Sequence, residues 1–184
     1  MTELSLHILD IVQNSIKAGA NLVAINVHEN VSENIFAITI TDNGCGMEKD
    51  FLEDVVNPFR TTRTTRKVGL GLSLLKNACE LTGGSLEIDS EVGKGTVVCA
   101  RFMHDSIDRQ PLGDMASTMA TIIGGNDKIN YVYSHSINDT SFEFSTVEIR
   151  KVLGEEIDLS NLDVLNWIEG YIAEQEDNLY GGAI

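Results

Sequence analysis

The 184-residue chain is long enough for one ordinary domain, or for a domain with an appendage. It is 42% hydrophobic, and its net charge of −15 excludes a general nucleic-acid binder, which needs a basic surface to contact phosphates. Its apolar runs are too short for a membrane span and its N-terminus is unlike a signal peptide, so we expect a cytoplasmic protein.

The first half of the chain predicts helices and strands that are grouped rather than strictly alternating. Apolar residues at helical spacing predict a helix over 4–18, and alternating apolar residues predict strands over 22–28 and 35–41. This order of elements predicts an α+β two-layer sandwich. Further along we expect a short helix over 48–56, a polar loop over 57–68, a helix over 70–82 and a hairpin over 85–102.

The second half of the chain is distinguished by its charge. Residues 1–104 contain 13 acids and 9 bases, whereas residues 105–184 contain 15 acids and 4 bases. This shift predicts a boundary near residue 104, with one domain over 1–104 and an acidic α/β C-terminal extension over 105–184. The acidity is typical of a solvated surface, and the alternative is an acidic docking face for a basic partner. The elements expected here are a helix near 112–123, strands near 129–136 and 141–147, and helices near 147–153 and 161–175.

A first candidate site follows the second predicted strand, where the sequence reads Asp42-x-Gly44-x-Gly46. An aspartate at the end of a strand can accept a hydrogen bond from an exocyclic amine, and glycines let the backbone pass close to a flat ring. The alternative is a simple turn before a helix, since Asp and Asn favour such turns through their own side-chain hydrogen bonds.

A second candidate is the stretch KVGLGLS, in which Gly69 and Gly71 directly precede a helix. Unpaired backbone N–H groups and the positive end of the helix dipole could face phosphates there. A Rossmann motif is disfavoured because no strand precedes this loop and the third glycine is missing. A P-loop is absent as well, since GKGT at 93–96 lies in a predicted hairpin turn.

The first helix offers a third candidate. Asp10, Asn14 and Lys17 are spaced i, i+4 and i+7, so they share one face of the helix. A carboxylate, an amide oxygen and an ammonium group could position water, Mg²⁺ and phosphate respectively. The alternative is the solvent face of an amphipathic helix, because Glu3 and His7 lie on the same arc.

The predicted polar loop over 57–68 is rich in basic residues. Such a cluster can bind phosphate or can be a solvated loop, and its place before the glycine-rich stretch is typical of a lid. The basic residues are Arg60, Arg63, Arg66 and Lys67.

Together these motifs closely resemble the Bergerat-fold (GHKL) superfamily of gyrase B, heat-shock chaperones, mismatch-repair ATPases and sensor histidine kinases. The resemblance covers about residues 4–104 and is strongest to the histidine-kinase catalytic domain. It implies the Bergerat ATP-binding fold, a mixed sheet covered by helices. The matching boxes occur in the family's order: DIVQNSIKAGA (N box), DNGCGM (G1), NPFRTTR (F box with the lid), GLGLSLLK (G2) and GKGT.

The resemblance implies ATP and Mg²⁺ as ligands. Asp42 would bind the adenine amino group with help from Thr96, Asn14 would hold Mg²⁺ and Lys17 would contact phosphate. Asp10 takes the place where family ATPases and serine kinases often carry a glutamate base, and its side chain is one methylene shorter. Gly44 and Gly46 would shape the pocket, Thr61 and Thr62 would lie in the mobile lid, and the backbone of Gly69, Leu70, Gly71 and Leu72 would cradle the phosphates.

The function implied by the resemblance is a Mg-ATP-dependent protein kinase of the histidine-kinase or anti-sigma type. The dimerisation helices that carry the phosphoacceptor histidine in sensor kinases are not expected before residue 4, and His7 is interpreted as a structural residue of the N-box helix. We therefore expect transfer in trans to a partner protein. One alternative is a nucleotide-dependent binding switch with little turnover. The other is a GHKL ATPase that cycles through dimerisation, which would make the protein a homodimer.

Overall fold

The computed structural model describes residues 2–49, 52, 71–154 and 156–181. The elements predicted within these ranges are confirmed, with ends shifted by a few residues. The predicted loop over 57–68 and most of the predicted helix over 48–56 lie outside the described residues. The helices and strands are, in chain order, α1 (Leu4–Lys17), β1 (Leu22–Asn30), β2 (Ile35–Asp42), α2 (Gly71–Leu81), β3 (Ser85–Glu91), β4 (Gly95–Met103), α3 (Met115–Gly125), β5 (Asn130–Ile137), β6 (Thr140–Ser145), α4 (Thr146–Leu153) and α5 (Leu162–Gly181).

The strands form one six-stranded sheet in the order β3-β4-β2-β1-β5-β6. The β1–β5 pair is parallel, and the other pairs are antiparallel. This mixed sheet with its helices confirms the α+β prediction. Strands β5 and β6 lie beyond residue 105 and continue the same sheet, so the C-terminal extension packs onto the first half of the chain. The proposed boundary at residue 104 stays a prediction.

The core lies between the helices and one face of the sheet. Because successive side chains of a strand point to opposite faces, Val23, Ile25 and Val27 of β1 are buried together. Helix α1 buries Ile8, Ile11 and other apolar residues of one stripe against the same cluster. Burying each such side chain stabilises the fold by about 1.5–3 kcal/mol. This packing fixes α1 beside the end of β2, where the candidate site begins.

The N-terminus of α1 is capped by the segment that follows β4. Glu3 makes no side-chain capping bond. Instead, the backbone N–H groups of Leu4 and Ser5 donate to the carbonyl oxygens of Pro111 and Leu112, over 2.9 and 2.8 Å. These bonds satisfy two of the amides that a helix start leaves without partners. The C-terminal half of the chain therefore holds the helix that carries three of the predicted site residues.

A buried polar cluster joins α5 to the far ends of β1 and β5. His135 is fully buried, with Nδ1 2.8 Å from Glu176 Oε2 and Nε2 3.1 Å from Glu29 Oε1. Glu29 also accepts a hydrogen bond from the Tyr180 hydroxyl at 2.8 Å and lies 2.7 Å from His104 Nε2. The Tyr133 hydroxyl donates to Glu176. His135 thus bridges two carboxylates, and these contacts satisfy groups that would be costly to bury alone.

The cluster shifts the pKa values of Glu29 and His135. Burial alone would raise the pKa of Glu29, but hydrogen bonds from His135, Tyr180 and His104 outweigh it and lower the pKa to about 2. Burial alone would lower the pKa of His135, but its bonds to Glu176 and Glu29 outweigh burial and raise the pKa. His135 therefore holds its proton more tightly in the folded protein than in the unfolded chain.

Among the described residues, no helix is both long enough and apolar enough to cross a membrane.

Candidate nucleotide-binding site

Asp42, the last residue of β2, has a carboxylate that is fixed by two donors. The Ser15 hydroxyl of α1 donates to Oδ2 at 2.7 Å, and the Gly44 backbone N–H donates to Oδ1 at 2.8 Å. Asp42 is 9% exposed and Ser15 is 2% exposed. A carboxylate can accept about four hydrogen bonds, so each oxygen keeps capacity for a further donor. The arrangement presents an oriented acceptor at the end of a strand.

Thr96 lies directly beside Asp42 in the sheet. The two residues are register partners in the antiparallel β2–β4 pair. The Thr96 hydroxyl is 2.9 Å from the Ser90 hydroxyl, and Ser90 Oγ accepts from the Met47 backbone N–H at 2.9 Å. The β3–β4 hairpin therefore anchors the loop after β2 through a serine that the sequence motifs did not single out.

The two loop glycines are surrounded by other parts of the chain. Gly46 has φ +66°, and a Cβ there would lie 2.0 Å from the carbonyl oxygen of Glu91. A Cβ on Gly44 would lie 2.9 Å from the Ala18 Cβ. Both positions thus exclude a side chain because the loop packs tightly against the hairpin and the end of α1. Their role in shaping an adenine pocket stays a prediction.

Asn43, between the aspartate and the first glycine, fastens this loop to the start of β1. Its Oδ1 accepts from the backbone N–H groups of Asn21 and Leu22, both at 3.0 Å. Its Nδ2 donates to Asn21 Oδ1 at 2.7 Å. The side chain thus does more than favour a turn, since it fixes the position of the strand end that carries Asp42.

Helix α1 presents Asp10, Asn14 and Lys17 to solvent on one face, as their spacing predicted. Ser15 lies on the opposite, buried side of the same helix. The sequence did contain a signal for it, because Ser15 continues the buried stripe of Ile8 and Ile11 and is polar. A buried hydroxyl on such a stripe needs a hydrogen-bond partner, and the nearer of its two acceptors is Asp42 Oδ2 at 2.7 Å, the other being the Ile11 carbonyl oxygen at 3.3 Å.

The start of α2 lies next to Asp10. A Cβ built on Gly71, the first residue of α2, would be 3.0 Å from Asp10 Oδ2, so the carboxylate closely approaches the helix start. The first amides of a helix have no partners within the helix, and they carry partial positive charge. Leu72 follows in the first turn and is half-buried. The predicted site residues Thr61, Thr62, Gly69 and Leu70 lie outside the described residues.

The exposed face of α1 has the donor chemistry that Mg²⁺ takes. Magnesium prefers oxygen ligands and is usually bound by one or two protein groups, several waters and substrate phosphates. The Asn14 amide oxygen and the Asp10 carboxylate are oxygen donors on one exposed helix face. Within the described ranges, no group of three or more His, Cys, Asp or Glu side chains could hold a metal ion by itself. The residues therefore fit a magnesium ion that is held largely by nucleotide phosphates.

Comparison with known proteins identifies relatives of the region that contains this site. The model of the family described as histidine kinase-, DNA gyrase B-, and HSP90-like ATPase matches residues 2–106. A sensor-like histidine kinase of Rhizobium meliloti (strain 1021) is 32% identical over 104 residues, which cover 54% of this chain and 20% of the relative. The sensor kinase CckA of Brucella abortus (strain 2308) is 28% identical over 149 residues, covering 68% of this chain and 16% of the relative. The matched region thus spans a fifth or less of these relatives.

The fold also occurs among solved structures. The N-terminal domain of a DNA repair protein superposes with a TM-score of 0.54 at 19% sequence identity, covering 84% of this chain and 57% of that chain. The family match ends at residue 106, whereas the superposition covers 84% of this chain. The structural similarity therefore includes much of the region beyond residue 106.

Proposed function

Because the chain belongs to the family of histidine kinase-, DNA gyrase B-, and HSP90-like ATPases, we propose that it binds Mg-ATP beside Asp42 and transfers the γ-phosphoryl group to a partner protein in trans. The chain spans only a small part of its kinase relatives, so the acceptor is proposed by class: a nucleophilic side chain of another protein.

The observation that carries this proposal is the fixed carboxylate of Asp42. The adenine amino group is a hydrogen-bond donor, and Asp42 offers an acceptor whose orientation Ser15 and Gly44 already determine. A preorganised acceptor loses little conformational entropy when the ligand binds. Thr96, the register partner of Asp42, would complete the contact with the base through its hydroxyl.

The exposed face of α1 supports binding of the phosphates. Lys17 would contribute an ammonium group and Asn14 an amide oxygen for Mg²⁺, which neutralises phosphate charge when it is bound. The amides at the start of α2, from Gly71 and Leu72, would donate to phosphate oxygens. Thr61, Thr62, Gly69 and Leu70 would cover and cradle the same group.

Transfer in such a site rests mainly on positioning and charge neutralisation. The bond between the γ-phosphorus and the bridging oxygen breaks, ADP leaves, and a new bond forms from the γ-phosphorus to the acceptor side chain. Asp10 of α1 lies next to the start of α2 and would accept the proton that the acceptor loses. Gly44 and Gly46 would keep the loop close to the adenine side of the site.

The compartment that suits this chemistry is the cytoplasm, where we propose the protein acts. All three cysteines are unpaired, which accords with a reducing environment. ATP and magnesium are plentiful in the same compartment.

The proposal is tested by incubating the protein with ATP labelled at the γ-phosphate, alone and with candidate partner proteins. Label transferred to a partner, and lost with Asp42→Ala but kept with Asp89→Ala on β3, would support it. Label released only as free phosphate would contradict transfer and favour an ATPase. Label retained only in ATP would contradict it too, and favour a binding switch.

A further inference from the structure

The outward face of α5 combines acidic side chains with the protein's single tryptophan. Its 20 residues include Asp163, Glu169, Glu174, Glu176 and Asp177 but no lysine or arginine. Helical spacing places Asp163, Trp167, Gly170, Glu174 and Asp177 along one stripe, opposite the buried Ile168, Ile172 and Leu179. All five members of this stripe are exposed.

Trp167 is held in a defined orientation within this stripe. Its ring stacks on Tyr171 with the centroids 5.6 Å apart and the planes 17° apart. Tyr171 in turn contacts Phe144 of β6, which is buried, at 6.3 Å between centroids. Trp167 nevertheless remains 53% exposed. A fixed aromatic side chain with a free face loses little entropy on binding and attracts a cation that lies over its ring.

Gly170 leaves open space next to this tryptophan. Apart from the adjoining backbone of the helix and the two neighbouring residues, no atom lies within 4 Å of the position that a Cβ would occupy on Gly170. The stripe therefore has a notch at Gly170, one helical turn from the exposed ring of Trp167. A side chain or backbone segment of a partner could pack into this notch.

The stripe ends at a cleft between the start of α3 and the C-terminal half of α5. The cleft has a volume of about 350 Å³, and its charged lining residues are Asp114, Glu176 and Asp177. No lysine, arginine or histidine is among the described side chains that line it. Glu176 is bound from its inner side by His135, and Asp114 accepts from the Ser117 backbone N–H. A lysine or arginine entering the cleft would meet carboxylates from two helices.

We propose that the stripe and the cleft form one docking site for a basic segment of a partner protein. A cationic side chain of the segment packs over Trp167, and a second one enters the cleft beside Asp177. Ten residues of helix separate these two positions, a distance of about 15 Å at 1.5 Å per residue. About five residues of extended chain span the same distance, so the matching segment carries two basic residues about five positions apart.

Charge identifies the partner as basic and disfavours a second copy of this chain. A second copy would bring another net charge of −15 to an acidic surface. A basic segment instead gains attraction that steers its approach and favours correct orientation. This inference goes beyond the proposed function, because docking on α5 requires neither ATP nor transfer.

The test uses the complete chain, whose single tryptophan makes intrinsic fluorescence a local reporter of the site. The probe is a synthetic peptide with two arginines five positions apart around a central leucine, and the control peptide has the same composition with adjacent arginines. We expect a saturable change in Trp167 fluorescence with the first peptide. We expect binding of the control peptide to be weaker by about tenfold, equivalent to about 1.4 kcal/mol.

Two matched sets of substitutions separate local docking from general charge attraction. Asp163→Asn, Glu174→Gln and Asp177→Asn together remove three charges from the site. Glu80→Gln, Glu87→Gln and Asp89→Asn remove three exposed charges near the opposite edge of the sheet. We expect only the first set to weaken peptide binding, by about tenfold or more.

Equal weakening by both sets, or equal binding of the two peptides, would overturn the proposal. Calorimetry on Trp167→Ala provides a readout that does not depend on fluorescence, and unchanged affinity in that variant would also overturn it. So would a fluorescence change that depends on protein concentration in the absence of peptide, since it would identify a second copy as the occupant. Circular dichroism verifies that each variant is folded.

Discussion

Ser15 and Asp42 lie 27 residues apart, and the serine hydroxyl donates to the aspartate carboxylate over 2.7 Å. The bond joins the buried side of α1 to the end of β2. It also couples two parts of the candidate site, because the opposite side of α1 carries Asn14 and Lys17. An acceptor for adenine and a helix face for phosphates are thereby held in a fixed mutual position.

Loss of the Asp42 carboxylate should weaken nucleotide binding. Asp42→Ala removes an acceptor, and hydrogen bonds to charged groups contribute about 1.5–3 kcal/mol. We therefore expect the Kd for ATP to rise by about 10- to 100-fold, measured by calorimetry. Asp42→Asn is a second variant that should leave the fold intact, since its amide group can still form hydrogen bonds with Gly44 and Ser15. Asp89→Ala, on the exposed face of β3, is the control, and an unchanged Kd in Asp42→Ala would refute the adenine-binding role.

Removal of the Ser15 hydroxyl should affect both stability and ligand binding. Ser15→Ala leaves a buried carboxylate oxygen without its donor, which costs about 1–3 kcal/mol in the free energy of unfolding. ATP affinity should fall as well, because Asp42 is then less firmly oriented. Ser5→Ala is the matched control: Ser5 is equally buried on α1, but its hydroxyl makes a long hydrogen bond of 3.5 Å to the carboxylate of Glu3. Urea denaturation and calorimetry should separate the two variants, and equal effects would contradict the role of Ser15.

The magnesium role of Asn14 predicts a specific loss of metal dependence. Wild-type protein should bind ATP more tightly with Mg²⁺ than with a chelator present. Asn14→Ala should lose most of that gain while retaining the affinity measured without metal, because the amide oxygen acts through the ion. Gln13→Ala, an exposed neighbour on the same helix, should retain the full gain. An undiminished effect of Mg²⁺ on the ATP affinity of Asn14→Ala would show that Asn14 does not bind the ion.

The sequence predicted the helices and strands well, because their signals are local, whereas the roles of the site residues stay predictions. Helical spacing located α1, alternation located the strands, and the glycine-rich boxes located the loop after β2. The network around the site was harder to predict: Ser15 reaches Asp42 and Ser90 reaches Met47 only through tertiary packing. The continuation of the sheet into β5 was missed for the same reason, since its pairing with β1 joins residues about a hundred positions apart.

The polar cluster around His135 should make stability depend on pH. The pKa of His135 is raised above its ordinary value of 6.5, so its contribution is complete below pH 6.5 and is lost as pH rises through the raised value. The pKa of Glu29 is lowered from 4.5 to about 2, so its contribution is complete above pH 4.5 and is lost as pH falls towards 2. The cluster should therefore stabilise the fold most between pH 4.5 and 6.5.

Glu29→Gln isolates this contribution. Breaking one side of a buried charged pair costs about 3–5 kcal/mol, so the variant should be less stable than wild type by about that amount near pH 5.5. The difference should shrink at high pH, where His135 is neutral in both proteins. Urea denaturation at a series of pH values measures it, with Glu143→Gln on the exposed edge strand β6 as the control. A difference that stays constant across the series would contradict the charged state assigned to His135.

Gly46 and Gly93 provide a matched pair for testing the packing of the loop that carries Asp42. Both have positive φ, +66° and +79°, so alanine at either position incurs a similar backbone strain of about 1 kcal/mol. Only at Gly46 would the new Cβ meet the chain, 2.0 Å from the Glu91 carbonyl oxygen, whereas at Gly93 it would meet no atom within 4 Å. We expect Gly46→Ala to destabilise the fold by about 1–3 kcal/mol more than Gly93→Ala, because overpacking adds to the backbone strain. Because the same loop fixes Asp42, the affinity for ATP should fall in Gly46→Ala and stay unchanged in Gly93→Ala. Equal stability of the two variants in urea denaturation would contradict the close packing of the loop.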